Sequence, residues 1–227
     1  MSVRDIETEK KLLTKEYKEL LKISYQSLNT EDKKLIRKAI DYAVDAHQFQ
    51  RRKSGEAYIF HPISVAKIVA SEIGLDAVSI AAALIHDVVE DNSNHTLENI
   101  QKEFGKNISK IVDGLTKIGK LNSKGYSDVS IQAENYRKML LTLNEDVRVI
   151  IIKIADRLHN MQTLSSMPYE KQIQKASETL YIYAPLAHRI GLYNIKTELE
   201  DLGLKYTDPE TYDCLLYTSP SPRDATL

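Results

Sequence analysis

The chain has 227 residues, 42% of them hydrophobic and 28% charged, and its 31 basic and 32 acidic side chains leave a net charge of −1. That length suits one large domain or two small ones around a buried core, and the balanced charge excludes the global basic field that nucleic-acid binding uses. The single cysteine, Cys214, excludes an internal disulfide and a cysteine-rich metal site, no apolar run approaches the ~20 residues of a membrane span, and the charged start "MSVRDIETEKKLL" lacks an apolar signal core, so a cytoplasmic protein is expected.

Helical spacing dominates, with eight glycines and six prolines to interrupt it. Residues 5–28 carry apolar side chains at Ile6, Leu12, Leu13, Tyr17, Leu20, Leu21 and Ile23. Asn29 or Thr30 is placed to cap a helix through "EDKKLIRKAIDYAVDAHQF". "RRKSGEAYIFHP" (51–62) breaks the periodicity and reads as a loop. Pro62 suits the first turn of the next helix, and Gly74 can end it. Asp76 can cap the following one, "DAVSIAAALIHDVVED". "HTLENIQKEFG" and "NISKIVDGLTKIG" read as two short helices. Residues 119–130 read as a mobile polar loop. "AENYRKMLLTL" and "NEDVRVIIIKIADRLHNMQTL" resume as helices, and two more are expected at about 169–183 and 185–202. No internal repeat is visible and strand candidates are weak, so an all-α fold is expected. From about Asp213 the chain turns rich in Ser, Thr and Pro. Residues 214–227 read as a non-native tail, and no chemistry is attached to Cys214.

"LIHDVVED" places His86, Asp87, Glu90 and Asp91 in the most apolar stretch of the chain. Unpaired buried charge is costly, and neighbouring carboxylates raise each other's pKa. At about 100° per residue the four share one arc of a helix, with small Ser79 and Ala83 beside them. Both a solvated polar face and the wall of a metal pocket fit that pattern. In "IIIKIADRLHNMQTL", Asp156, His159, Asn160 and Thr163 are spaced i, i+3, i+4, i+7 and interrupt a second apolar helix. A polar stripe, or an ion-pair network with Arg157, is the plainer alternative there. His61 stands at a loop-to-helix junction. The loop before it, with Arg51, Arg52, Lys53 and Ser54, can hold phosphates by charge and hydroxyl contacts or be a solvated basic turn.

The order His61, His86–Asp87, Asp156 resembles the H…HD…D signature of the HD superfamily of metal-dependent phosphohydrolases. Two imidazoles and two carboxylates suit Mn²⁺, Fe²⁺ or Zn²⁺ rather than Ca²⁺. The flanks sharpen the likeness. "RRKSGEAYIFHPISVAKIVA", "AAALIHDVVEDN", "IVDGLTKI", "AENYRKMLLTL", "VRVIIIKIADRLHNMQTL" and "ETLYIYAPLAHRIGL" together resemble the amino-terminal hydrolase domain of the RelA/SpoT (Rel) family, over roughly residues 5–213. That family makes and degrades ppGpp and pppGpp in the bacterial stringent response, and "HDVVED" keeps its hydrolase-competent acidic pattern.

The resemblance implies an all-α, HD-superfamily helical hydrolase domain over 31–202, preceded by an N-terminal helical segment at 1–30. Residues 203–213 would begin a linker toward synthetase and regulatory domains. His61, His86, Asp87 and Asp156 would hold one Mn²⁺, and Glu90 and Asp91 would assist the attacking water. Arg52, Lys53 and Ser54 would contact the nucleotide, with Asn160 and Thr163 on its ribose or base. The implied reaction converts the 3′-pyrophosphate of (p)ppGpp to GDP or GTP plus pyrophosphate, with no membrane or direct nucleic-acid partner. His159 would support the site or be structural, His47 and His188 structural, and His95 at the surface. Gln162 stands where an arginine is expected, and Ala57 where a proline is common. Two alternatives are an HD phosphohydrolase for another nucleotide or a phosphodiester, and a non-catalytic HD regulatory module. "RRKSG" with "HNMQT" argues against the first. The intact ligand set and the Glu90/Asp91 pair argue against the second.

Overall fold

Apolar residues recurring at helical spacing fold into helices throughout the described chain. The computed structural model describes the backbone of residues 3–24, 28–91, 94–122 and 146–218, and the side chains of 8–24, 28–90, 94–118 and 146–215. The helices are α1 (Val3–Ile23), α2 (Thr30–His47), α3 (Phe60–Ile68), α4 (Ala77–Leu84), α5 (Val88–Asp91), α6 (Leu97–Asn122), α7 (Val147–Gln162), α8 (Tyr169–Glu178), α9 (Ala184–Arg189), α10 (Tyr193–Thr207) and α11 (Pro209–Thr218). π-helical turns extend α3 through Val69–Ile73 and α8 through Thr179–Tyr183. The β structure among the described residues is one antiparallel bridge, Arg51 to Ala57, so the all-α expectation holds.

Local chemistry sets the ends. Asn29 and Asp32 form a reciprocal capping box at the start of α2. Gly74 leaves the π turn at a φ of 75°, where a side chain would be strained. Asp76 Oδ1 accepts the Ser79 amide at 2.9 Å and opens α4. Gly105, at a φ of 82°, breaks α6 into the two expected helices.

The chain divides into two units, Met1–Asp156 and Arg157–Leu227, and the boundary falls within α7. In the first unit α4 is the hub, packed by α2, α3 and α6. Ala81, Ala82 and Ala83 are fully buried, as are Ala39 and Ala43 of α2. Side chains this small let the helices approach closely. Gly114 of α6 serves the same end, since a Cβ there would lie 2.9 Å from Val149 Cγ2 of α7. Lys67 of α3 bonds both Glu16 and Glu19 of α1, at 2.6 and 2.7 Å. In the second unit Arg157 and Glu178 form a buried ion pair at 2.9 Å, with the guanidinium 4.1 Å from the centre of the Tyr183 ring.

Two expectations need correction. "DAVSIAAALIHDVVED" is not one helix: α4 stops at Leu84, residues 85–87 form a turn, and α5 begins at Val88. The three-residue hydrogen bonds from Ile85 N–H to Ala82 O and Val88 N–H to Ile85 O, both 3.3 Å, tighten the chain there. The shared arc of His86, Asp87, Glu90 and Asp91 therefore does not exist. The chain also keeps its helix beyond Asp213, with α11 running to Thr218. Most of the expected loop at 119–130 and all of "AENYRKMLLTL" lie outside the described residues, although the α6 backbone reaches Asn122.

Candidate metal centre

Three chain elements of the first unit converge on one point. His61 enters from the first turn of α3, where its amide bonds Tyr58 O at 2.9 Å. His86 and Asp87 come from the turn that closes α4, and Asp156 from α7. His86 Nε2 stands 2.9 Å from Asp87 Oδ2, and His61 Nε2 stands 3.1 Å from Asp156 Oδ1. The cross distances, His61 to Asp87 and His86 to Asp156, are 3.7 and 3.9 Å. One donor atom from each of His61, His86 and Asp87 lies within 4.8 Å of the others, a grouping that could hold a metal ion. Both histidines and Asp156 are buried.

The chemistry of the donors fits a cation. His86 Nδ1 lies 2.8 Å from the carbonyl oxygen of Ala83, which can only accept, so Nδ1 carries the ring hydrogen. His86 Nε2 is buried and has no hydrogen-bond partner among the described residues, yet it faces a carboxylate. In the neutral ring a lone pair would confront negative charge, so the point between them calls for a positive one. The charges around the donors act the same way. Burial pushes the His86 imidazole down, but the Asp87 carboxylate outweighs it and brings the ring up to about 9. Burial also raises Asp87, and the neighbouring His86 reverses this and holds the carboxyl well below its usual range. Asp156 is likewise held low against its burial, first by Lys153. His61 is pushed down by burial and stays neutral, the form that binds metal.

The remaining expected residues separate. Arg52 Nη1 reaches to 3.3 Å from His61 Nδ1. Lys53 and Ser54 are exposed beside Gly55, at the tip of the same hairpin. Arg51 turns away and makes a two-pronged ion pair with Glu9 of α1, at 2.5 and 3.0 Å. Glu90 is exposed, and its amide bonds Asp87 O at 3.0 Å. Asp91 closes α5, and its side chain lies outside the described residues. Asn160 and Thr163 belong to the second unit, where the Thr163 hydroxyl donates to His159 O at 3.0 Å. Gln162, in the expected arginine's place, donates to Glu198 at 2.7 Å. His47 is buried, with its ring 4.7 Å from that of Tyr58. His95 is half-buried, edge-on to Tyr42, rather than a plain surface residue. His188 is exposed, beside the Tyr193 ring.

Two residues at the centre went unread in the sequence. Lys153 Nζ lies 2.7 Å from Asp156 Oδ2, and its signal was a lone cation in "IIIKIAD". The Tyr58 hydroxyl donates to Asp87 Oδ2 at 2.8 Å, and nothing in "AYIFHP" marked it.

The family model described as "HD domain" matches residues 39–193, a span that contains the whole converging group. This chain is a member of the HD domain family. Relatives of the HD domain protein bear the names that its motifs suggested. Guanosine-3′,5′-bis(diphosphate) 3′-pyrophosphohydrolase of Aquifex aeolicus is 49% identical over 178 residues, 78% of this chain and 25% of the relative. A chloroplastic protein of Oryza sativa named for GTP diphosphokinase activity is 46% identical over 194 residues, 83% of this chain and 22% of the relative. The solved structure of a metazoan ortholog of SpoT, which hydrolyzes ppGpp and plays a role in starvation responses, superposes with a TM-score of 0.58 at 25% identity, covering 74% of this chain and 93% of the other. The likeness to the RelA/SpoT hydrolase domain is thereby borne out. The HD domain chain spans about a quarter of the length of these curated relatives. No helix among its described residues is long and apolar enough to cross a membrane.

Proposed function

We propose that this HD domain hydrolyses the 3′-pyrophosphate of ppGpp and pppGpp to GDP or GTP plus pyrophosphate, using Mn²⁺ held by His61, His86, Asp87 and Asp156. The observation that carries the reading is the buried Nε2 of His86 facing Asp87, with His61 and Asp156 closing on the same point. A divalent cation bound there supplies charge against the attacked phosphorus and lowers the pKa of water. The names of the Aquifex relative and the metazoan structure support the substrate.

The chain's own residues divide the remaining work. Glu90 of α5, four residues beyond His86 in sequence, is open to solvent and can take the proton of the attacking water, with Asp91 its sequence neighbour in the same role. Arg52, Lys53 and Ser54 present positive charge and a hydroxyl to the polyphosphate. Were His61 to coordinate through Nε2, its ring hydrogen would sit on Nδ1 against the Arg52 guanidinium, also a pure donor. Arg52 would then turn outward to the phosphates. Asn160 and Thr163 are proposed as ribose or base contacts on the family resemblance alone. The same reading implies synthetase and regulatory domains in the full-length protein, and a cytoplasmic location.

The test is ppGpp turnover by the purified chain, with Mn²⁺, with chelator, and with His86→Ala/Asp87→Ala. Metal-dependent release of GDP and pyrophosphate that the double substitution abolishes is the expected outcome. A folded, metal-loaded chain that leaves ppGpp intact but cleaves another nucleotide would replace this substrate.

A further inference from the structure

We propose that Tyr58 is a positioning residue for the centre. Its hydroxyl fixes the Asp87 carboxylate in the orientation that receives the cation, and so ties the nucleotide-facing hairpin to the metal ligands. The inference rests on reading His61, His86, Asp87 and Asp156 as a metal site.

The hairpin is built by three backbone pairings. Arg51 bridges Ala57, Arg52 N–H bonds Glu56 O at 2.9 Å, and Tyr58 N–H bonds Gln50 O at 3.1 Å. Side chains alternate between the faces of an antiparallel ribbon. Arg51 and Ala57 therefore share one face, and Arg52 and Tyr58 share the other. The contacts follow that alternation, with Arg51 on Glu9 of α1, Arg52 beside His61, and Tyr58 on Asp87. One short ribbon thus touches two of the four ligand residues.

The Tyr58 ring is held on two sides. His47 packs against it with centroids 4.7 Å apart and planes at 35°, and His61 meets it edge-on at 5.7 Å. The phenol has one hydrogen to give, and at 2.8 Å it goes to Asp87 Oδ2. That oxygen is also the one 2.9 Å from His86 Nε2 and 3.7 Å from His61 Nε2. A carboxylate oxygen has two lone-pair directions. With Tyr58 occupying one, the other is turned toward the two imidazoles. Without the hydroxyl the carboxylate is free to rotate, and the cation must order it on binding. Loss of such an outer hydrogen bond weakens metal binding by about 10- to 100-fold.

Calorimetric titration of the full chain with Mn²⁺, wild type against Tyr58→Phe, tests this, together with melting of both proteins in chelator. The expected result is an affinity weaker by about tenfold or more, with the metal-free melting temperature preserved. Equal affinities would overturn the role. So would a fall in metal-free melting that accounts for the loss, since Tyr58 would then act by packing alone. A wild-type chain that binds no Mn²⁺ is a different result, and it would overturn the metal reading itself.

Discussion

His86 Nε2 stands 2.9 Å from Asp87 Oδ2, while the other nitrogen of the same ring is 2.8 Å from the carbonyl of Ala83. Ala83 and His86 are three residues apart, so the turn that ends α4 orients the ring it displays. The fixed hydrogen on Nδ1 reserves Nε2 for a proton or a metal.

Metal should therefore stabilise the fold. A ligand that binds only the native state at 100 times its Kd contributes about 2.7 kcal/mol. Thermal melts of the wild type should rise by several degrees on adding Mn²⁺ and fall back with chelator. His86→Ala and Asp87→Ala should melt at the same temperature with and without the ion. An undiminished rise in either variant would mean that the ion binds elsewhere.

The pH dependence has a defined sign. The His86 pKa is raised from 6.5 to about 9 in the folded, metal-free chain. Its contribution is complete below 6.5 and is lost as pH climbs toward 9. Asp87 and Asp156 are held low, so their contribution is present above the ordinary carboxylate range and is lost on acidification. Melting in chelator should decline across pH 6.5 to 9. Mn²⁺ should bind more tightly over the same interval, because fewer protons compete for His86. A metal-free profile that is flat there would refute the assignment of the charge to His86.

The adjacent arginines should behave differently. Arg51 pairs with Glu9 on the surface, where solvent screens the pair, so Arg51→Ala should change stability little and leave substrate KM little changed. Arg52 lies on the metal face of the hairpin. A charged hydrogen bond is worth about 1.5–3 kcal/mol, so Arg52→Ala should raise KM for ppGpp roughly tenfold or more while Mn²⁺ affinity is kept. Steady-state kinetics of the two variants separate these roles, and equal effects would contradict the alternation.

Gly114 sets how closely α6 and α7 approach, and α7 carries Asp156. A methyl there would meet Val149 at 2.9 and 3.1 Å. Overpacking of this kind costs about 1–3 kcal/mol, so Gly114→Ala should lower the denaturation midpoint. Val149→Ala in the same chain should recover part of the loss. Absence of recovery would place the strain elsewhere.

Much of the molecule was legible in the sequence. Asn29, Gly74, Asp76 and Gly105 announced helix ends because capping is local chemistry between residues three or four apart. The order of His61, His86–Asp87 and Asp156, with its flanks, named the family and the ligand set to test. The turn at 85–87 was hidden because "AAALIHDVVED" keeps helical composition throughout. Its break shows only in the three-residue hydrogen bonds of Ile85 and Val88, while helical periodicity continues across it.

Tertiary structure alone decided which groups meet. Arg51 and Arg52 are the same residue type at adjacent positions, and only the ribbon's alternation sends one to Glu9 and the other to His61. Tyr58 is one of 13 tyrosines, distinguished solely by the 2.8 Å between its hydroxyl and a carboxylate 29 residues away. Sequence patterns carry interactions of short range along the chain. Contacts between distant segments depend on how helices of given width and side-chain size pack, and that packing is a property of the whole fold.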